Sequence, residues 1–172
     1  MAGAAFALAL LADRQSEVLI KDLDRRFPED TFVRFSYLPA IEAQLALNRH
    51  EPERALTLLA PAAPNELGWQ GAGTAGFAGS LYPIYMRGQA YLSARQGGEA
   101  AAEFQRVISS IGVVSNDPTI VLAARLQLAR AFKLSGDPRA KNAYQEFLAH
   151  WRNADPDIPL LKQAKSEYAE IP

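Results

Sequence analysis

Apolar side chains recur at three- and four-residue intervals along almost the whole chain, and β-branched runs are scarce. That interval is the helical one, and the abundant residues, alanine, leucine, arginine and glutamate, are good helix formers. The pattern predicts an all-α chain with helices near 2–12, 14–26, 31–49, 52–62, 81–96, 98–111, 118–135, 138–152 and 159–170. The breaks agree with it. Asp117-Pro118 and Asp137-Pro138 each offer a capping carboxylate followed by proline at the first helical position, where a missing N–H costs nothing. Glu51-Pro52 and Asp157-Ile158-Pro159 mark two further starts. Pro39 in "YLPAI" and Pro83 in "LYPIY" fall where a helix is beginning or already running. An interior proline costs about 3 kcal/mol, so each predicts a helix start or a kink.

One spacing occurs four times. Gly88, Tyr91, Ala100, Phe104 and Val107 are separated by steps of 3, 9, 4 and 3, and Ala43, Ala46, Ala55, Leu59 and Ala62 repeat those steps. Ala129, Phe132, Ala140, Tyr144 and Phe147 follow with 3, 8, 4 and 3, as do Ala5, Leu8, Ser16, Ile20 and Leu23. A small residue lets two antiparallel helices approach, and a larger one a turn later fills the gap beside it. Beyond the turn, an alanine or serine permits close contact again. A hairpin of this kind leaves one apolar face open, so its neighbours must stack to bury it. Tyr91, Phe104, Phe132 and Tyr144 are expected in the core.

This pattern resembles the tetratricopeptide repeat (TPR), an antiparallel helix pair. The copies start 38, 45 and 41 residues apart, longer than that family's repeat, and Arg95 and His50 stand where a turn glycine is usual. Three longer stretches carry a second resemblance: "RRFPEDTFVRFSYLPAIEAQLALNRHEPERALTLL", "ELG" followed by "GSLYPIYMRGQAYL", and "NADPDIPLLKQAKSEYAEI". Together they look like the C-terminal TPR region of certain bacterial serine/threonine protein kinases. Similar tails also follow DNA-binding regulatory domains. The resemblance implies one TPR-like superhelix over residues 1–172, with repeats near 2–28, 31–64, 81–112 and 118–152 and a capping helix at 159–170. In such arrays the first helix of each pair lines a concave groove. By position the groove residues would be Tyr37, Gln44 and Asn48, then Tyr82, Tyr85, Gln89 and Ser93, then Gln127, Arg130 and Lys133.

The stretch "GWQGAGTAGFAG" contains G-x-G-x-x-G at Gly71, Gly73 and Gly76. A dinucleotide site needs a strand before the first glycine and a helix directly after the last. "PAAPNELGWQ" stands before it, and more glycine and Pro83 follow. The stretch is therefore expected as an inter-repeat loop over 64–80, with Trp69 and Phe77 tucked against the array. Kinase motifs are missing, since the chain has no H-R-D or D-F-G segment.

Composition narrows the chemistry further. A chain of 172 residues, 49 % hydrophobic and 22 % charged, suits one array with a real core. A formal net charge of −1 gives no field toward nucleic acid or an anionic membrane. With no cysteine there is no disulfide or thiolate, which suits a reducing cytoplasm and is also compatible with export. "AGAAFALALLA" ends at Asp13, short of the ~20 residues that span a bilayer, and reads as a packed helix. His50 and His150 are expected at helix ends, not as metal ligands. Glu99 and Glu103 read as a solvated face, Asp155 and Asp157 as caps of the last helix. Arg130, Lys133, Arg139 and Lys141 could form a local basic patch.

These features predict a non-catalytic scaffold without cofactor or metal, and the resemblance implies the accessory region of a bacterial signalling protein. It would bind a protein or peptide on its concave face, or pair with itself. The alternative is a small-molecule sensor, with its pocket between the concave face and the glycine-rich loop.

Overall fold

The computed structural model describes residues 1–68, 81–110 and 118–171. Among them are nine α-helices and no strand: α1 (Ala2–Leu10), α2 (Gln15–Arg26), α3 (Leu38–Asn48), α4 (Pro52–Leu59), α5 (Leu81–Ser93), α6 (Gly97–Ser109), α7 (Pro118–Ser135), α8 (Ala140–His150) and α9 (Pro159–Ala169). The helical period thus reports every one of them, with ends displaced by a few residues. The all-helical class stands. Asp117 and the glycine-rich stretch, including Gly71, Gly73, Gly76, Trp69 and Phe77, lie outside the described residues.

Helices α1–α2, α3–α4, α5–α6 and α7–α8 pack as hairpins, and all four close in the same way. One residue in each turn takes positive φ: Ala12 at 54°, His50 at 59°, Arg95 at 59° and Gly136 at 70°. The next N–H reaches back to a carbonyl of the first helix. Asp13 donates to Leu8, Glu51 to Ala46, Gln96 to Tyr91 and Asp137 to Phe132, at 2.8–3.0 Å. A second bond, from the positive-φ residue to the carbonyl three residues before it, completes a Schellman closure. Each receiving carbonyl belongs to the second residue of the four-copy spacing.

The one-residue difference in that spacing has a physical origin. In the nine-step copies, the second helix starts on α-type bonds, Ala55 N–H to Glu51 and Ala100 N–H to Gln96. The eight-step copies start on tighter bonds, Ser16 N–H to Asp13 and Ala140 N–H to Asp137. There the aspartate carboxylate also accepts an N–H two residues on, from Gln15 at 2.8 Å and Arg139 at 2.9 Å. Asp137 closes the turn, but α8 begins at Ala140 with Arg139 as its N-cap and no side-chain capping bond, so neither the expected cap nor proline at the first helical position is found there. Asp155 accepts from Asp157 N–H at 2.8 Å and Asp157 pairs with Lys162, so neither caps α9, whose N-cap is Ile158.

Both prolines are absorbed as expected. Pro83 is in the first turn of α5. Pro39 follows a π-helical turn, Val33–Tyr37, that runs on into α3. The proline brings no N–H, and its ring crowds the preceding turn, so widening that turn keeps the helix continuous. Behind α4 a 3-10 helix, Ala60–Asn65, carries the chain to Glu66.

The first helices touch in a row, α1 on α3, α3 on α5 and α5 on α7. Between hairpins, the second helices meet the next first helix and not one another, so the direct helix-to-helix row is on the first-helix side. Three buried clusters follow one another, and the rings of Tyr82 and Tyr85 pack against both the first and the second. Of the expected core aromatics, Phe104, Phe132 and Tyr144 are buried, but Tyr91 is only half-buried. Close approach is most acute at Gly88, where a Cβ would lie 2.7 Å from the Phe104 ring.

Ion pairs fasten the 3-10 segment to the third hairpin. Glu66, with its side chain 1 % exposed, meets Arg87 at 2.5 and 2.8 Å and Arg106 at 3.2 Å. Glu103 joins both arginines at 3.0 Å, so it is not the solvated surface carboxylate expected of it. Burial opposes the Arg87 charge, but Glu66 and Glu103 outweigh it and hold its pKa above the ordinary arginine value.

Three variants followed by urea unfolding test this packing. Gly88→Ala should cost about 1–3 kcal/mol by overpacking, and less in a Phe104→Leu background, while Arg95→Gly should gain about 0.5–1 kcal/mol by relieving positive φ. Glu66→Gln should cost about 3 kcal/mol, the low end for a broken buried pair because Glu103 still partners Arg87.

Candidate functional site

The inner row of helices encloses a cleft of about 710 Å³. Helix α1 contributes Phe6, Ala7 and Leu10, α3 contributes Gln44, Leu47 and Asn48, and α5 contributes Tyr82, Tyr85, Met86, Gln89 and Ser93. Thr119, Ile120 and Ala123 of α7 close the far side. Among the described residues, no side chain lining it carries a charge. The floor is apolar, and the polar groups are hydroxyls and carboxamides.

Local helix geometry explains the grouping. Gln44 and Asn48 are one turn apart on α3, as are Tyr85 and Gln89 on α5, so each pair shares a face. Gln44 Nε2 donates to Asn48 Oδ1 at 2.8 Å, and Asn48 Nδ2 donates to the Ala9 carbonyl at 2.6 Å, linking α3 to α1. Gln89 Nε2 donates to the Tyr85 hydroxyl at 2.8 Å. Burial raises the Tyr85 pKa, while hydrogen bonding to Gln89 and Gln127 and the Arg130 charge act against the rise. Both tyrosines also pack, Tyr82 edge-on to Phe6 at 5.3 Å and Tyr85 edge-on to Phe104 at 5.6 Å between ring centroids. They are wall and core at once.

Of the positions expected along the groove, the cleft unites Gln44, Asn48, Tyr82, Tyr85, Gln89 and Ser93. The others lie elsewhere. Tyr37 ends the π-helical turn, half-buried, and burial and then the Asp30 charge raise its pKa. Gln127 is beside the Tyr85 hydroxyl. Arg130 and Lys133 are engaged by α9. Arg130 makes a forked contact with Glu167 at 2.7 and 2.9 Å, and Lys133 meets Glu170 at 2.8 Å. Arg139 likewise pairs with Asp137 at 2.6 Å, so three members of the expected basic patch are neutralised. The α1 and α7 wall residues were not among the positions the resemblance supplied. Phe6 and Leu10 sit one helical turn apart on α1, and that spacing is the only signal the sequence held for them.

A second cleft, of about 620 Å³, lies among α2, α3 and α4 and is of another kind. Glu17, Lys21, Asp24, Arg34, Glu42, Arg49 and Arg54 mix both signs along it. Arg49 pairs with Glu17 at 2.7 Å. Burial, with Asp24 adding to it, raises the Glu42 pKa. Among the described residues, no group of three or more His, Asp or Glu is placed to hold a metal ion, and no helix is long and apolar enough to cross a membrane.

Helix α9 offers a pH test of its own docking. Burial pushes the Glu167 carboxyl up, but hydrogen bonds from Arg130 and Tyr144, the latter at 2.7 Å, outweigh it and bring its pKa below the ordinary value. A carboxyl lowered on folding contributes stability above its unfolded pKa, and that contribution fades as pH falls through the folded value. Wild type should therefore exceed Glu167→Gln in stability at pH ~7, and the two should converge below pH ~4, as followed by thermal unfolding across pH.

The cleft has to be understood from its own chemistry, because the chain matches no protein-family model, no curated protein and no solved structure.

Proposed function

We propose that the chain is a non-catalytic interaction scaffold, a tetratricopeptide-like array that holds a protein or peptide segment in the cleft between its first helices. On the sequence resemblance, it serves as the accessory region of a bacterial signalling protein, a kinase or a regulator. One observation carries the reading: four consecutive hairpins each contribute their first helix to a single cleft of about 710 Å³ whose described lining is uncharged. A continuous wall drawn from stacked repeats is what an extended partner requires. Flat tyrosine area with little entropy to lose, beside carboxamides that pair with a main chain, is suited to such a partner. The cleft volume also falls within the ~300–1,000 Å³ of small-molecule pockets, which keeps a sensor as the second reading. The loop wall proposed for that sensor lies outside the described residues.

The test uses variants that leave the core alone. Tyr85 is a poor choice because its ring packs on Phe104. Leu10 is 56 % exposed and Ser93 is exposed, and each is the last residue of its helix. A lysine there is favoured by the helix dipole, so Leu10→Lys with Ser93→Lys charges the cleft at little cost to folding. Wild type and this double variant would capture proteins from the source cell, with helicity checked by circular dichroism. A partner retained by wild type and reduced at least ~10-fold on the variant supports the groove. Equal capture moves the site off this face. Capture of nothing by either, with a thermal shift produced by a small-molecule extract, transfers the cleft to the sensor reading.

A further inference from the structure

Large apolar side chains left in water gather on the first hairpin. Met1, Leu10, Leu11 and Val18 are 48, 56, 78 and 67 % exposed, four of the seven such side chains among the described residues. Helical spacing sorts them. On α1, Ala5, Phe6 and Ala9 are buried, and Leu10 looks into the cleft with Ala7. Ala4, Leu8 and Leu11 fall on the remaining side, turned from both. On α2, Ser16 and Leu23 are buried, while Glu17, Lys21 and Asp24 line the second cleft. That leaves an edge with Arg14, Val18 and Asp22 in steps of four. The first hairpin's main contacts with the other described helices are to α3 and the π-helical turn before it. The two free edges therefore make an apolar end face of the stack, the kind of patch that marks an interaction surface.

Polarity and charge say what fits that face. The opposite end of the stack is closed by α9, which turns Lys162, Gln163, Lys165 and Ser166 to solvent. Head-to-tail stacking would set apolar surface against those charges. The apolar mate that the chain itself supplies is the same face of a second copy, and like meets like across a two-fold axis. The charges agree with such a contact. If α2 crosses its copy antiparallel with Val18 on the axis, a residue n places before Val18 faces the residue n places after it. Arg14 of each copy then faces Asp22 of the other, twice over, and Gln15 faces Lys21, so no like charges oppose. Arg14 has no ion pair among the described residues, and Asp22 remains 27 % exposed beside Arg25. A formal net charge of −1 adds little repulsion between copies.

We propose that the first hairpin is a self-association surface. Two copies of this chain pair face to face across a two-fold axis at Val18, with Leu8 and Leu11 packed in the contact and Arg14 and Asp22 closing its edges. The pairing does not rest on the groove reading, because it uses a side of α1 other than the one that lines the cleft.

Sedimentation equilibrium of the whole chain between ~1 and ~200 μM, a range that spans micromolar association, is the test. Wild type should rise from 18.8 kDa to twice that mass and no further. Val18→Glu and Val18→Lys should each stay monomeric, with unchanged helicity by circular dichroism because the side chain is exposed. An equimolar mixture of the two should pair again, since glutamate then faces lysine across the axis. A hairpin merely destabilised by the substitutions would not be rescued by mixing. Arg14→Glu sets like charge against Asp22 and should weaken pairing about five- to tenfold, less so in ~0.5 M salt. Leu10→Lys with Ser93→Lys alters the cleft alone and should pair as wild type does. A wild type that stays monomeric throughout overturns the proposal, and one that is monomeric yet captures another protein through Val18 assigns the face to that protein instead. Mass that climbs past the dimer, a dimer indifferent to Val18, or Val18 variants that stay apart when mixed would each overturn it as well.

Discussion

A single backbone closure sets the geometry of this protein: one residue at positive φ, followed by an N–H that reaches back to a carbonyl five residues earlier. It appears at Ala12, His50, Arg95 and Gly136. Only the last is glycine, so at the other three the chain bears a backbone conformation that side chains disfavour by about 1–2 kcal/mol. The strain is tolerated because it fixes where the second helix starts relative to the first. That in turn decides whether Ala55, Ala100, Ala140 and Ser16 arrive at the small-residue contact. All four are buried. A hairpin closed differently would present another face to its neighbour, and the stack would lose its register.

This explains how much of the fold was legible and where legibility stopped. The helical period and the steps of 3, 8 or 9, 4 and 3 were enough for the nine helices and their pairing. The turn itself was read as a departure, because Arg95 and His50 are not the expected residue type, yet the structure uses them in the expected conformation. Tyr91 illustrates the limit on the other side. Its position matches the other second-position residues, but side-chain exposure depends on what the next hairpin covers, and spacing in one hairpin does not contain that. Glu66, Glu103, Arg87 and Arg106 were illegible for the same reason. Apart from Glu103 and Arg106, one turn apart on α6, their contacts join residues 16 to 40 apart in sequence, and those to Glu66 form because the chain after the 3-10 segment lies across the third hairpin.

The candidate site was half legible. Gln44, Asn48, Tyr82, Tyr85, Gln89 and Ser93 project from two adjacent first helices, so their helical positions suffice to bring them together. Arg130 and Lys133 fail because a fifth inner helix, α9, supplies Glu167 and Glu170 to them. The helix was foreseen as a cap, but its choice of partner required knowing that Glu167 and Tyr144 meet at 2.7 Å. A residue's place on a repeat says which way it points; it does not say whether another segment has already reached it.

The cleft and the core share their walls, and that shapes both. Tyr82 and Tyr85 pack against the first and second buried clusters at once, so the cleft lies at a seam between hairpins. A seam is where four helices approach without their side chains fully interdigitating, which leaves volume, and where buried aromatics face solvent on one edge. Charge placed there would sit over the apolar contact that joins the two clusters and would have to be desolvated against it. The chain instead sends its ion pairs outward or to the far end: Glu66 with Arg87 behind α5, Arg49 with Glu17 on the outer cleft, Arg130 with Glu167 under α9. The neutrality of the cleft is thus a consequence of how the repeats are joined. Any ligand it accepts must satisfy that packing requirement first.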